Sequence, residues 1–360
     1  MNAKQRLQEI IEEGVQIGAF PGCTYAVVNK DKAYISYAGY KELYPNKIKN
    51  SVDTIYDMAS LTKVISTTTS IMQLVEDGKI RIYDPVKRYL PFFKYDNINL
   101  WHLLTHTSGL PEGISGPKDK MNKDDVWEKI KNVDINFEPG TKICYSDINF
   151  IILGKIVEIV SKEDLNVYVK NHVFDPLEMY DTGYLPQDIN RVAATEERHD
   201  ASYDGYVKGK VHDETSFALG GVAGHAGLFS TVTDMTHFIK MILNDGIYNG
   251  KRILAKNTID NLYKIQVATY EGLSNTPTLA RCLGWQAKER ASSAGDLIST
   301  NTILHTGFTG TNVWIDRDNK IGFVLLSNRV HPTRNNNLHM RLRAIAANYV
   351  ISHKEEFFND

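Results

Sequence analysis

The sequence predicts an α/β fold in which strands from both ends of the chain form one antiparallel sheet, flanked by N- and C-terminal helices, with a mostly helical lobe inserted between them. Two observations support this fold class. Apolar and polar residues alternate in short segments near both chain ends, whereas helical spacing dominates from residue 80 to about residue 245. The strand-like segments are 23–29, 33–39, 301–304, 311–316 and 321–327.

Each element follows from a local signal in chain order. Apolar residues recur at helical spacing over 3–17, which predicts an amphipathic surface helix. The polar residues 30–32 form the turn of a hairpin, and a helix over 60–77 ends at Gly78. The other predicted helices are 101–106, 149–160, 164–173, 233–243 and 337–351.

This layout predicts two domains. Residues 1–78 and 246–360 form the α/β sheet domain, and residues 79–245 form the mostly helical domain. We expect an active site in the cleft between them, because clefts between two such lobes commonly hold small molecules.

Composition excludes several classes of protein. The 360 residues include 41 Lys and Arg against 43 Asp and Glu, so the chain lacks the basic surface of a nucleic-acid binder. The start of the chain reads as an amphipathic helix rather than a signal peptide, and no apolar run reaches the ~18–20 residues of a membrane span. We therefore expect a cytoplasmic location. Three widely spaced cysteines predict small buried thiols rather than a disulfide framework or a zinc site.

The strongest chemical signal is Ser60-Leu-Thr-Lys63 at the start of a predicted helix. Ser60 and Lys63 are three residues apart, so they share a helix face near backbone N–H groups that favour negative charge. Lysine would accept the serine proton only if its pKa fell from about 10.4 to about 7, which costs roughly 4–5 kcal/mol. A helix cap is the alternative role for Ser60. A second S-x-x-K, at 115–118, contains glycine and proline and is predicted to be a loop.

Two further motifs favour the catalytic interpretation. Tyr145-Ser-Asp147 opens a predicted helix, and His305-Thr306-Gly307 ends a predicted strand. In order and spacing, the three motifs resemble the S-x-x-K, Y-x-N and K-T-G or H-T-G motifs of the penicillin-recognising serine hydrolases. That family comprises class C β-lactamases, D,D-carboxypeptidases and related esterases. The resemblance extends from about residue 18 to about residue 350 and implies the β-lactamase/transpeptidase-like fold.

The resemblance also implies a role for each motif residue. Ser60 would be the nucleophile that forms an acyl-enzyme, Lys63 would hold or take its proton, and Tyr145 would act as general base or relay the proton to the leaving group. His305 would replace the usual lysine, and Thr306 would bind a substrate carboxylate. The site residues implied for substrate binding are Asp147, His305, Thr306, Gly307 and Phe308.

Within that set, the backbone N–H groups of Ser60 and Phe308 would form the oxyanion hole. Gly307 would lack a side chain because substrate lies along that strand edge. The resemblance implies no cofactor and no metal.

Two departures from the family pattern affect substrate recognition. Asp147 stands where the family has Asn, and an ionised carboxylate only accepts hydrogen bonds. Pairing of Asp147 with Lys63 would hold the lysine charge and shift proton uptake to Tyr145. His305 has an ordinary pKa of about 6.5, so we expect its attraction for a substrate carboxylate to weaken as pH rises.

The predicted function is that of a serine hydrolase acting on D-amino-acid peptides or related cell-wall amides. The alternatives are a short-chain esterase, a β-lactamase, and a weakly catalytic penicillin-binding or sensor module. The natural substrate and the oligomeric state stay open at this stage.

Overall fold

The computed structural model describes residues 2–116 and 118–359, and its central feature is a nine-stranded antiparallel sheet. In chain order the strands are Gly22–Val28 (β1), Ala33–Glu42 (β2), Ile48–Lys49 (β3), Tyr56–Asp57 (β4), Gly183–Tyr184 (β5), Glu197–His199 (β6), Asp204–Tyr206 (β7), Leu228–Ser230 (β8), Ile247–Tyr248 (β9), Lys251–Arg252 (β10), Val267–Thr269 (β11), Leu279–Arg281 (β12), Gln286–Ala287 (β13), Thr302–Thr306 (β14), Asn312–Asp316 (β15) and Ile321–Ser327 (β16). The main sheet has the order β11-β12-β13-β14-β15-β16-β1-β2-β3, so strands from both ends of the chain form one sheet, as predicted.

Ten α-helices surround this sheet in the described residues. They are Ala3–Gln16 (α1), Thr69–Glu76 (α2), Leu100–Leu104 (α3), Lys123–Asn132 (α4), Asp147–Ser161 (α5), Leu165–Val169 (α6), Glu214–Ala218 (α7), Val232–Leu243 (α8), Lys256–Leu262 (α9) and His339–Ser352 (α10). Shorter 3₁₀ turns are Ala59–Leu61, Val86–Arg88, Lys118–Lys120, Ile189–Arg191 and Lys354–Phe357, and π-helical turns are Lys63–Thr68 and Lys170–Phe174.

The alternation of β1 explains the two cores on either side of the sheet. Tyr25 and Val27 face α1 and α10, whereas Ala26 and Val28 face the larger core that contains α8 and the other helices. Gly322 on β16 allows α8 to lie close to the sheet, because a Cβ there would lie 2.4 Å from a methyl carbon of Ile239.

The predicted strands and most predicted helices are present, and two differences are informative. The helix expected over 60–77 is divided into a 3₁₀ turn, a π-helical turn and α2. Strands β11 to β13 and helices α4, α7 and α9 were not predicted, because they are short or lack a continuous apolar pattern. The segment 115–118 includes Pro117, which lies outside the described residues.

The division into two domains stays a prediction. Helix α8, which lies within the segment assigned to the helical domain, packs against β1 and β16. Among the described residues, no helix combines the length and apolar character needed to cross a bilayer.

Candidate active site

Ser60 lies in the 3₁₀ turn that follows β4, and the residue before it has an unusual backbone conformation. Ala59 has φ of 46°, in the left-handed region that non-glycine residues rarely adopt. Buried Asp57 accepts a hydrogen bond from the Ala59 N–H (2.8 Å), and Thr311 Oγ1 donates to the Met58 carbonyl (3.0 Å). These hydrogen bonds hold the nucleophile turn in a conformation that costs free energy, as is common at functional sites.

Lys63 is the fully buried cation beneath Ser60. Its Nζ lies 3.0 Å from Ser60 Oγ and 2.7 Å from Asp147 Oδ1, and it donates to the His225 carbonyl at 3.0 Å. Burial acts to lower the pKa of Lys63, but the charges and hydrogen bonds of Asp147 and Tyr145 outweigh burial and raise it. The sequence left two possibilities, a lowered pKa of Lys63 or a lysine charge held by pairing with Asp147, and the structure has the second. Lys63 is an ammonium ion at rest, because a carboxylate stands where the family has an amide.

Tyr145 lies two residues before α5 and reaches both Ser60 and Lys63. Its phenol has side-chain interactions with both residues, and its ring centroid lies 4.9 Å from Lys63 Nζ. Burial raises the pKa of Tyr145 more than the Lys63 cation lowers it. The phenol is therefore protonated at neutral pH. The structure brings the three predicted catalytic side chains together, although neither Lys63 nor Tyr145 is a free base at rest.

His106 supports Tyr145 from below, a role that the sequence did not reveal. The two rings stack at 4.6 Å between centroids, and His106 Nδ1 accepts a hydrogen bond from the Ser146 N–H at 3.0 Å. His102 and His106 lie four residues apart around two leucines, which predicts packed histidines rather than metal ligands. The positive φ of His106 (56°), which turns the chain towards the site, has no local sequence signal.

The third motif lies at the end of β14, where His305 is buried and faces Tyr145 at 6.2 Å between ring centroids. Its Nδ1–H donates to the Thr306 carbonyl at 3.0 Å, which leaves Nε2 as an acceptor in the neutral ring. Burial foremost, together with the Lys63 cation, lowers the pKa of His305 to about 3. His305 is therefore neutral near pH 7, and the predicted weakening of carboxylate binding through its deprotonation has no basis in this structure.

Gly307 and Phe308 continue this strand end. A Cβ at Gly307 would lie 2.6 Å from the Met58 carbonyl oxygen and 2.1 Å from Thr311 Oγ1, so glycine is required by packing against the nucleophile turn rather than by substrate. The carbonyl of Phe308 accepts a hydrogen bond from Arg329 Nε at 2.8 Å. Arg329 also lies over the Phe308 ring, at 4.6 Å from its centroid.

A cleft of about 410 Å³ opens above Ser60. Its lining is mostly polar and cationic: Ser60, His106, Tyr145, Arg281, Gly284, Gln286, His305, Thr306, Gly307, Phe308, Arg329, Asn337, His339, Met340 and Arg343. The predicted substrate-binding residues His305, Thr306, Gly307 and Phe308 all line it, whereas Asp147 lies beneath it against Lys63.

One end of the cleft is formed by Arg329, His339 and Arg343, which we call the arginine cluster. Arg343 is only 5% exposed, and its Nε has no hydrogen-bond partner among the described residues. Burial, together with the charge of Arg329, lowers the pKa of Arg343 to about 9. No carboxylate in the described residues forms an ion pair with either arginine; Arg343 Nη2 donates to the Thr311 carbonyl at 3.2 Å, and the charge of Glu196 acts on Arg329 without an ion pair.

A second group lies on the opposite side of Ser60, and we call Lys63, Asp147, Asp213 and His225 the paired cluster. Asp147, Asp213 and His225 offer possible metal-ligand atoms within 4.8 Å of one another. The Lys63 ammonium lies 2.7 Å from Asp147, and Asp213 accepts a hydrogen bond from His225, so Asp147 already has a cationic partner and the donor set does not fit a metal ion.

Several of these residues were missed by sequence reasoning. Asp57, Asp213, Arg329 and Arg343 belong to no short motif. For His225, in the glycine-rich segment 220–227, the sequence predicts a closely packed loop in which the histidine forms a loop hydrogen bond or lines the cleft, but not a contact with Lys63. Their functional positions depend on contacts distant in the chain.

Comparisons with known proteins give matches over most of the chain. A family model described as "Beta-lactamase" matches residues 7–348. The "N-acetylmuramyl-L-alanine amidase" of Bacillus subtilis is 33% identical over 369 residues, covering 91% of this chain and 81% of that protein.

Two solved structures share the fold. The β-lactamase/D-alanine carboxypeptidase from Yersinia pestis, complexed with citrate, has a TM-score of 0.72 at 20% identity, covering 97% of this chain and 98% of that chain. EstCE1, described as a hydrolase with promiscuous acyltransferase activity, has a TM-score of 0.75 at 20% identity, covering 96% and 98% of the two chains.

Proposed function

Because this chain belongs to the β-lactamase family of serine hydrolases, we propose that Ser60 is acylated by short cell-wall-type peptide amides that carry a carboxylate. Ser60 Oγ attacks the amide carbonyl carbon and forms a C–O bond, while the C–N bond breaks. The serine proton passes through Tyr145 to the leaving nitrogen. Water then cleaves the acyl-enzyme, which yields a carboxylic acid and an amine and restores the Ser60 hydroxyl.

The charge arrangement supports a role for each residue in this reaction. Tyr145 passes its own phenol proton to the leaving nitrogen as it accepts the serine proton, and the Lys63 ammonium stabilises the negative charge that develops on the phenol oxygen. Backbone N–H groups of Ser60 and Phe308 would bind the developing oxyanion. Thr306 lines the cleft and would hydrogen-bond the substrate carboxylate.

The observation that carries the proposal is Arg343. A buried guanidinium without a carboxylate partner is costly unless a ligand supplies the negative charge. Because His305 is neutral and offers an acceptor, Arg343 and Arg329 are the cations available to a substrate carboxylate at this end of the cleft. A neutral short-chain ester would leave both arginines uncompensated.

The test compares two N-acyl-D-alanyl-D-alanine peptides that differ in having a C-terminal carboxylate or a C-terminal amide. We expect kcat/KM to be about 10-fold or more higher for the carboxylate peptide, since charge-assisted pairs are the stronger ones. Equal values for the two peptides would contradict the proposal. Arg341→Met, at an exposed arginine of the same helix, is the matched control and should keep the preference.

Asp147 favours a second candidate function, hydrolysis of short-chain esters. Its carboxylate is 29% exposed beside Lys63 and cannot donate to a substrate amide carbonyl. Under this alternative, p-nitrophenyl acetate is turned over rapidly, and incubation with penicillin leaves no adduct on Ser60 in intact-mass analysis. Asp147→Asn should then raise the rate of penicillin acylation by about 10-fold, since the amide supplies the missing donor.

The substrate is a small molecule in either case. The cytoplasmic location remains a prediction from the sequence alone.

A further inference from the structure

Asp213 and His225 lie next to the catalytic lysine but belong to none of the three motifs. The His225 Nε2–H donates to Asp213 Oδ1 at 2.8 Å, and the carbonyl of the same histidine accepts the hydrogen bond from Lys63 Nζ at 3.0 Å. Asp213 Oδ1 also accepts a hydrogen bond from the Ser216 N–H at 2.7 Å. The histidine therefore connects the start of α7 to the ammonium of Lys63.

The segment around His225 is fixed at three consecutive carbonyls. Thr67 Oγ1 donates to the Gly224 carbonyl (2.6 Å), Lys63 donates to that of His225, and Ser216 Oγ donates to that of Ala226 (2.9 Å). Without the hydrogen bond from the His225 imidazole to the Asp213 carboxylate, the His225 carbonyl would lose its side-chain connection to the start of α7. The position of an acceptor for Lys63 thus depends on a side chain remote from Ser60.

The charge of Asp213 provides a second connection between the Asp213–His225 pair and Lys63. The Asp213 carboxylate lies within 4.8 Å of a carboxylate oxygen of Asp147, the partner of Lys63. Burial acts to raise the pKa of Asp213, but the charge and hydrogen bond of His225 outweigh it and lower that pKa. The charged and titratable groups that act on Asp213, or that lie beside Asp213 or His225, are Lys63, Asp147, Lys118, Asp57, His212, Tyr203 and Glu214.

We propose that Asp213 and His225 are positioning residues for Lys63: their hydrogen bond fixes the carbonyl that accepts from the ammonium, and the Asp213 charge helps to hold the proton on Lys63. This inference rests on the proposed acyl transfer at Ser60 but not on the identity of the substrate. It predicts that the two residues set both the rate of acylation and the pH range in which it occurs.

The experiment measures the rate at which a fluorophosphonate probe labels Ser60 between pH 5 and pH 10. Asp213→Asn removes a negative charge near Lys63 and Tyr145, so both groups lose their protons more readily. We expect the pH of half-maximal labelling to fall by about 0.5 to 1 unit. A purely structural role would lower the rate without moving this pH, and an unmoved profile would overturn the inference.

A pair of variants at His225 separates the hydrogen bond from the fold. His225→Gln keeps a donor towards Asp213 and should retain the labelling rate within about 3-fold, whereas His225→Leu loses the donor and should slow labelling by about 10- to 100-fold. Equal rates for the two variants, with equal melting temperatures, would contradict the role of the hydrogen bond. The two His225 variants also test the inference if Asp213→Asn does not fold.

The chain offers a matched control pair. His199 and Asp204 form an exposed histidine–aspartate hydrogen bond of 2.7 Å in the hairpin of β6 and β7. Asp204→Asn should leave both the rate and the profile unchanged. Ser60→Ala should abolish labelling, and if it does not, the proposed function fails. If Ser60→Ala abolishes labelling but the Asp213 and His225 variants are labelled like the wild type, the inference fails while the proposed function stands.

Discussion

The paired cluster and the arginine cluster lie on two sides of Ser60 and differ in how their charges are balanced. In the paired cluster, the Lys63 ammonium has a carboxylate at 2.7 Å and a second carboxylate nearby. In the arginine cluster, two guanidinium groups have no carboxylate partner in the described residues. Balanced charge suits proton handling, because the cation does not need a ligand. Unbalanced charge suits the binding of an anion, because the ligand supplies the missing negative charge.

The largest expected effect comes from removing the hydroxyl oxygen of Ser60. Ser60→Ala should lower turnover of both the carboxylate peptide and p-nitrophenyl acetate by at least about 10³-fold, since neither cluster supplies another nucleophile. Steady-state kinetics measures the loss, with Ser352→Ala near the end of α10 as control. Retention of more than a tenth of the activity on either substrate would show that acyl transfer does not use Ser60.

A smaller effect is expected from Gly307→Ala, which would displace the turn that carries Ser60. In Gly307→Ala the new Cβ would meet the Met58 carbonyl and Thr311 Oγ1, so we expect about 1–3 kcal/mol of destabilisation and a rate lowered by about 10²-fold. Thermal unfolding and kinetics measure both.

Gly183→Ala is the control for this substitution, because a Cβ at Gly183 meets nothing within 4 Å. A Gly307→Ala enzyme with normal stability and rate would contradict the close packing between β14 and the turn.

Arg343→Met tests the unbalanced cluster directly. Removing a buried charge that lacks a partner should stabilise the free enzyme by about 1–3 kcal/mol, while KM for the carboxylate peptide rises by about 10- to 100-fold. Denaturant unfolding and kinetics would show the two opposite changes. Loss of stability without a change in KM would mean that the arginine serves the fold rather than the substrate.

The smallest expected effect is a pH dependence that should be absent. Because the pKa of His305 is lowered to about 3 and that of Arg343 to about 9, neither group changes charge between pH 5.5 and pH 8, and KM for the carboxylate peptide should stay flat there. KM should rise only as Arg343 loses its proton, above about pH 9. A rise in KM centred near pH 6.5 would show instead that His305 binds the carboxylate in its charged form.

His305 also links pH to stability. It is neutral in the folded chain, and its pKa in the unfolded chain is about 6.5. The folded state therefore gains this stability above about pH 6.5 and loses it progressively as pH falls towards 3. Unfolding measured over this range in wild type and in His305→Gln would isolate the contribution.

The sequence predicted well what depends on neighbouring residues. Alternation in β1, β2 and β16 predicted the sheet, and three short motifs predicted the residues that converge beside Ser60. The turn at Ala59 was missed, because its positive φ is held by Asp57 and Thr311 rather than by its own sequence. Contacts between residues that are distant in the chain leave no pattern in the local sequence.

The electrostatics were the least predictable part. For Lys63 the sequence offered either a lowered pKa or a charge held by Asp147, and for His305 it predicted a partly charged ring. The short motifs alone do not reveal how strongly burial opposes the neighbouring charges. In the structure, Asp147 raises the pKa of Lys63 against the effect of burial, and burial removes the charge of His305. Burial and opposing charges are properties of the whole fold, as is the isolation of Arg343.

The pairing of β1 with β16 also joins residues that are far apart in the chain. Cys23 lies opposite Ser327, about 300 residues later, and the turn that carries Ser60 is held by Thr309 and Thr311 from the same late segment. A fragment that ends before Thr309 contains Ser60 but lacks the residues that shape this turn. We therefore expect such a fragment to show no acyl transfer.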